Sequence, residues 1–240
     1  MKLTIEKDQL LEILQKVQSI VAQRTTLPIL TNVLLEAKDD TLIFTTTDME
    51  VSLRTRINVE IEKNGSTTLP ARRFFSICRD LPSHQVELTL DEENENIIIK
   101  SGSFKGKLGG ISKDEFPEIP KFEEEFNYSL KQATLKDVLQ KTSYAASTDE
   151  SRPILNGTLL SFKEEKLTTV CTDGRRLALI EQEIDMPEDS SLEVVLPIKT
   201  VSELIKSLGN EGDVNIKMST SQIAFEFDNI LIISKLIDGV

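Results

Sequence analysis

The sequence predicts an α+β fold dominated by antiparallel sheets with helices on one side. Three observations carry this. The chain overlies itself at an offset of 125 residues, hydrophobic periods of two and about 3.6 alternate within each copy, and positive charge gathers in the 3.6-period segments of an acidic chain.

The repeat is read directly. Residues 27–48, LPILTNVLLEAKDDTLIFTTTD, lie without a gap over 152–173, RPILNGTLLSFKEEKLTTVCTD. Pro28 meets Pro153, Ile29 and Leu30 meet Ile154 and Leu155, and Thr47-Asp48 meets Thr172-Asp173. Two homologous domains are expected, 1–120 and 127–240, joined by the acidic, proline-bearing stretch at 117–126. In the first copy residues 2–6 read as a strand, and Leu10, Leu11, Leu14, Val17 and Val21 make the apolar stripe of a helix over 7–22. Strands follow near 30–38, 41–47 and 50–60. The order then restarts with a strand at 66–69, a helix over 70–81 opened by Pro70, and strands near 85–91, 95–101 and 104–110. Each domain is thus two strand-helix-strand-strand-strand units, and the chain should hold four helices and about sixteen strands.

Composition narrows the function. With 240 residues, 39% of them hydrophobic and 28% charged, the chain reads as globular. No apolar run approaches the roughly 18 residues of a spanning helix, and residues 1–8 lack the apolar core of a signal peptide, so a cytoplasmic location is expected. Cys78 and Cys171 stand too far apart to suggest a disulfide framework or a metal pair, and His84, the only histidine, excludes a His-rich metal site. A formal charge of −12 argues on its face against nucleic acid. Yet the helix segments 7–22, 70–81, 131–145 and 198–208 carry ten cations against five acids, leaving −17 for the rest of the chain. Such helices would offer a polyanion a cationic face that touches phosphates without reading bases, although solvated helix faces are also basic in ordinary proteins.

The stretch TTVCTDGRRLAL, residues 168–179, is a strand cut by a turn that bears two arginines. It fits an anion-binding active site, a docking pocket or a plain hairpin corner. The repeated Thr-Asp is the one candidate for paired carboxylates, which would make a metal-dependent phosphoesterase of Asp48 and Asp173. The alternative has each Asp closing its own turn on backbone amides. No phosphate loop, nucleophile elbow, zinc-protease helix or calcium loop is present, so neither catalysis nor a cofactor or metal is expected.

LPIL at 27–30, TTLPARRFFSICRDLP at 67–82, LNG at 155–157, TDGRRLA at 172–178 and SKLIDG at 234–239 together resemble the bacterial sliding clamp family, the beta subunit of DNA polymerase III. The resemblance implies the DNA-clamp fold, with antiparallel sheets outside and helices on the inner face. In that family three such domains make a subunit, and two subunits close into a homodimeric ring around duplex DNA. The ring, set in place by a clamp loader, catalyses nothing and tethers DNA polymerase and other clamp-binding proteins through short hydrophobic peptides. Carried over by position, Arg24, Arg72, Arg73, Arg79, Arg152 and Lys199 would face DNA, and Leu155, Thr172, Gly174, Arg175, Arg176 and Leu177 would form one wall of the peptide pocket. The first copy continues Met49-Glu50-Val51 and should have no pocket. A peptide-binding adaptor without a DNA role is the remaining alternative. Three departures stand out: Arg175 where many relatives have histidine, Gly106 where relatives place an aromatic in the ring-closing edge strand, and an end at Val240, before the third domain.

Overall fold

Alternating burial sets the strand faces from the start. In Lys2–Glu6 (β1), Leu3 and Ile5 are buried while Lys2, Thr4 and Glu6 are not, which turns one face of an extended chain toward a core. The structure, a computed structural model, describes residues 1–22, 25–91, 93–119, 126–149, 151–185 and 191–238. The chain divides into two compact units, Met1–Pro120 and Lys121–Val240.

In the first unit β1 is followed by α1 (Lys7–Val17), β2 (Asn32–Lys38), β3 (Thr41–Thr47), β4 (Val51–Asn58), β5 (Glu60–Lys63), β6 (Gly65–Pro70), α2 (Ala71–Arg79), β7 (Gln85–Asp91), β8 (Asn96–Ser101) and β9 (Phe104–Gly109). Strands β5-β1-β7-β8-β9 pair antiparallel in one sheet, and β4-β3-β2-β6 pair antiparallel in sequence. Helices α1 and α2 pack on each other and on these strands, burying Leu10, Leu14 and Val17 from one and Ala71, Phe74 and Cys78 from the other. Phe44 and Phe74, both wholly buried, are the kind of ring whose truncation to alanine costs about 3–5 kcal/mol.

The second unit repeats the plan with β10 (Phe126–Lys131), α3 (Gln132–Thr142), β11 (Gly157–Lys163), β12 (Lys166–Thr172), β13 (Leu177–Glu183), β14 (Leu192–Pro197), α4 (Ile198–Ser207), β15 (Asp213–Met218), β16 (Gln222–Phe227) and β17 (Ile230–Lys235). Its strands pair as β13-β12-β11-β14 and β10-β15-β16-β17, with α3 and α4 packed together. Among the described residues, no helix is long and apolar enough to cross a membrane.

Several expected boundaries shift for local reasons. The strand placed near 50–60 ends at Asn58, because the Val59 N–H donates to Asp40 O and Glu60–Lys63 leaves to pair with β1 in the other sheet. The described residues therefore hold seventeen strands rather than sixteen. The strand near 30–38 starts at Asn32, since Pro28–Thr31 winds into a 3-10 turn, as Pro153–Asn156 does in the second unit. The helix expected over 7–22 stops at Val17, where the Ser19 hydroxyl donates to Lys16 O, and α3 tightens into a 3-10 turn at Ser143–Ala145. Part of the linker, residues 120–125, lies outside the described residues.

Each unit closes its helix pair in the same way. The Lys7 ammonium donates to Leu81 O (2.6 Å), just past the end of α2, and the Lys136 ammonium donates to Leu208 O (2.8 Å), at the end of α4. Cations here meet carbonyls that the helix leaves unsatisfied, at the negative end of its dipole.

Gly157 is needed for close packing. A Cβ there would lie 2.5 Å from Val195 Cγ1 and 2.9 Å from Ile237 Cδ1, so β11 and β14 could not keep their spacing. Gly157→Ala should lower stability by about 1–3 kcal/mol in urea unfolding followed by circular dichroism. Gly109→Ala, whose nearest neighbour would be Asn96 Oδ1 at 3.5 Å, should change stability by less than about 0.5 kcal/mol.

Candidate functional site

The two Thr-Asp turns are built alike. In the first unit Asp48 Oδ1 accepts the N–H groups of Glu50 (3.0 Å) and Val51 (2.8 Å), while Thr47 Oγ1 accepts the Met49 N–H and donates to Val51 O. In the second, Asp173 Oδ1 accepts from Arg175 (2.9 Å) and Arg176 (3.0 Å), while Thr172 Oγ1 accepts the Gly174 N–H and donates to Arg176 O (2.7 Å). The residue between is left-handed in both, Met49 at φ 78° and Gly174 at φ 84°. Each carboxylate is spent on its own turn, which favours the turn reading over a paired-acid site. Among the described residues no group of three or more His, Cys, Asp or Glu is placed to hold a metal ion. Burial pushes the Cys78 thiol up to about 12 and also raises Cys171, so neither supplies a thiolate near neutral pH.

What the turns carry differs. In the second unit Arg176 is pinned three ways: Nε to Asp173 Oδ2 (3.2 Å), Nη2 to Tyr144 O (2.8 Å), and its guanidinium 5.6 Å from the Tyr144 ring centre. Leu177 stands opposite Thr172 in the β12–β13 register, on the outer strand of its sheet. It is 62% exposed, and Leu179, two residues on and therefore on the same face, is 55% exposed. Leu155 sits half-buried in the 3-10 turn and accepts the Ser147 N–H. Tyr144 and Ile154 are also exposed. Motif reasoning passed over Tyr144, Ile154 and Leu179; the alternation in Leu177-Ala178-Leu179 was the available signal for the last. In the first unit the turn is followed by Val51, wholly buried.

The residues expected to face DNA are distributed over both units. Arg72, Arg73 and Arg79 are exposed on α2, and Arg79 pairs with Asp80 (3.2 Å). Arg72 and Arg73 meet no partner among the described residues. Lys199 is half-buried on α4, and Arg24 lies outside the described residues. Arg152 immediately precedes the 3-10 turn Pro153–Asn156 of the second unit. It pairs with Asp149 (3.2 Å) beside the second turn, its Nη1 3.7 Å from where a Cβ on Gly174 would stand. Gly106 lies in the outer strand β9 under the Phe104 ring, whose Cζ would be 2.8 Å from an added Cβ. A cavity of about 460 Å³, lined by Glu164, Glu165, Lys166, Glu183, Ile184 and Asp185, opens at the far end of β12 and β13 and contains none of the expected site residues.

Comparison with known proteins is consistent along the chain. The family described as DNA polymerase III beta subunit, N-terminal domain, matches residues 1–120, and the central domain of that subunit matches residues 129–240. The beta sliding clamp of Chlamydia pneumoniae is 38% identical over 239 residues, covering 100% of this chain and 65% of that protein. The crystal structure of the DNA polymerase sliding clamp from Bacillus subtilis matches with TM-score 0.95 at 38% identity, over 100% of this chain and 65% of that one. A sliding clamp from Pseudomonas aeruginosa bound to griselimycin matches with TM-score 0.95 at 32% identity and the same coverage. The chain thus spans 65% of the length of these relatives.

The backbone N–H of Arg175, then that of Arg176, hold Asp173 below the usual carboxylate range, with the Arg176 guanidinium a smaller cause. A depressed carboxylate stabilises the turn above its unfolded value, and that support is lost as pH falls through the folded value, below about 3.9. In an NMR titration Arg176→Gln should raise the Asp173 midpoint only part of the way, because both amides remain.

Proposed function

This chain belongs to the DNA polymerase III beta subunit family, and from that premise we propose that it serves as a processivity factor, keeping replication enzymes on duplex DNA while catalysing nothing itself. Its working form is a ring of two subunits, placed around DNA in the cytoplasm by a clamp loader. Arg72 and Arg73, with no competing partner among the described residues, attract phosphates most strongly; Arg79 and Lys199 add weaker attraction, and Arg24 is assigned by resemblance alone. These contacts are long-range and pass over every base sequence alike.

Docking of partners is assigned to the second unit, where Leu155, Thr172, Gly174, Arg175, Arg176 and Leu177 form the wall that receives a short hydrophobic peptide. The observation that carries this is the pair of outward leucines, Leu177 and Leu179, beside a turn whose arginine is locked in place. Exposed apolar side chains gathered next to fixed polar groups mark interaction surfaces. Arg152 and Tyr144 join this wall by position. The stem of Arg176 covers apolar surface while its head stays wet.

Three measurements test the proposal. Full-length protein should remain on circular duplex DNA and be lost once the circle is cut; equal loss from both would leave an adaptor without a DNA role. Removing Arg72 and Arg73 together should reduce the magnitude of the slope of log affinity against log salt by about 2 for short duplexes of any sequence. Leu177→Ala should weaken capture of a purified replicative polymerase from the same organism by tenfold or more without changing thermal stability.

A further inference from the structure

We propose that the outward face of β4 in the first unit is a binding site for single-stranded nucleic acid, whose phosphate backbone it takes on Arg54 and Arg56. The internal repeat leads to it. At the 125-residue offset Ser52, Arg54 and Arg56 hold the positions of Leu177, Leu179 and Glu181, and the register agrees: Ser52 stands opposite Thr47 as Leu177 stands opposite Thr172. A strand face that carries two leucines and an acid in one unit carries a hydroxyl and two arginines in the other.

Burial fixes which way these side chains look. Val51, Leu53 and Thr55 are buried on the side where α1 packs on β3 and β4, so Ser52, Arg54 and Arg56, which alternate with them, face away from the helix pair that bears Arg72 and Arg73. Both guanidiniums are exposed, and side chains two apart on a strand stand about 6.8 Å from each other, a spacing that neighbouring phosphates of an extended chain can meet. Among the described residues Arg56 has no hydrogen bond or ion pair, and Arg54 is met only by the Thr45 hydroxyl, at 3.5 Å. The acid in the same row of the sheet is Glu36, which is two strands from Arg56 across Ile43, about 10 Å away and so about one screening length in 0.1 M salt. Both charges are therefore open to a ligand.

The neighbouring residues select its class. Between Val51 and Asn58 the exposed residues are Arg54, Arg56 and Asn58, so an acidic peptide would find no apolar anchor on the strand, whereas a phosphate chain binds through charge and the release of its counterions. Guanidinium and phosphate also match as a two-pronged pair. A duplex backbone winds away from so straight a row, while a flexible single strand can lie along it. No aromatic residue lies on β4 to stack a base, so the site is indifferent to sequence.

The test titrates fluorescein-labelled oligothymidylate against the 240-residue protein by anisotropy over a series of salt concentrations. Arg54→Gln/Arg56→Gln should lower the magnitude of the slope of log affinity against log salt by about 1.4, from two phosphates at about 0.7 each, and Arg54→Lys/Arg56→Lys should keep the wild-type slope. An unchanged slope in the glutamine pair would overturn the site. The unaltered protein gives a reading that does not depend on how variants fold: oligothymidylate should shield Arg54 and Arg56 from phenylglyoxal, followed by mass spectrometry, and modification of both at the same rate with and without it would also overturn the site. Polyglutamate that displaces the oligonucleotide at equal concentration, or a short duplex that binds the Arg72→Gln/Arg73→Gln variant more tightly than the single strand does, would overturn the choice of ligand.

Discussion

A carboxylate that accepts two consecutive backbone amides holds the turn at Asp48 and again at Asp173, and the two units differ in what hangs on that shared frame. The frame engages the carboxylates of the repeated Thr-Asp in their own turns, which disfavours paired-acid chemistry there. It also forces a left-handed residue after each Asp. Gly174 adopts this conformation freely, while Met49 does so against a steric penalty of about 1–2 kcal/mol. After the turn the first unit sends Val51 inward, and the second sends Arg176 outward to be pinned against Tyr144. One backbone solution thus supports a closed corner in one copy and an open, cation-rimmed apolar surface in the other.

Charge follows the same division between structural and available groups. Counting lysines and arginines on the helix segments overstates what a polyanion would meet, since Lys7 and Lys136 are bound to helix-end carbonyls and Lys16, Lys141 and Lys206 pair with acids on their own helices. The exposed pairs of Lys16 and Lys141 contribute little to stability, and that of Lys206 engages the buried Glu203, but all three lower the field that a ligand senses. Arg72 and Arg73 escape because the first turn of α2 carries no acid. Their availability is a property of sequence position rather than of total charge.

Much of the fold is legible in the sequence, for identifiable reasons. The repeat and the two periods are direct images of burial, so the strand-helix grammar of each unit follows from the order of apolar residues, while the stripe of α1 is met only in part: Leu10, Leu14 and Val17 are buried, Ile13 joins them, Leu11 stays half-exposed and Val21 lies past the helix end. The Thr-Asp turn is legible because its bonds are local. What escapes depends on partners distant along the chain. The split between β4 and β5 is decided by pairing with β1, some 58 residues upstream, where Leu3 faces Ile61. The neighbourhood of Arg152, beside Asp149 and close to Gly174 some 22 residues on, is set by folding and not by its own segment. Tyr144 falls near the end of the expected helix segment 131–145 and meets the second turn only through Arg176, 32 residues away.

Two copies of one turn carry different side chains, and the docking assignment proposed above depends on that divergence. Hydrogen exchange of the full chain with and without a purified replicative polymerase from the same organism tests it most directly. Protection is expected over residues 151–155 and 172–179, with none over 26–31 and 47–54. Protection of the first-unit segments to the same extent, or of those segments alone, would contradict it.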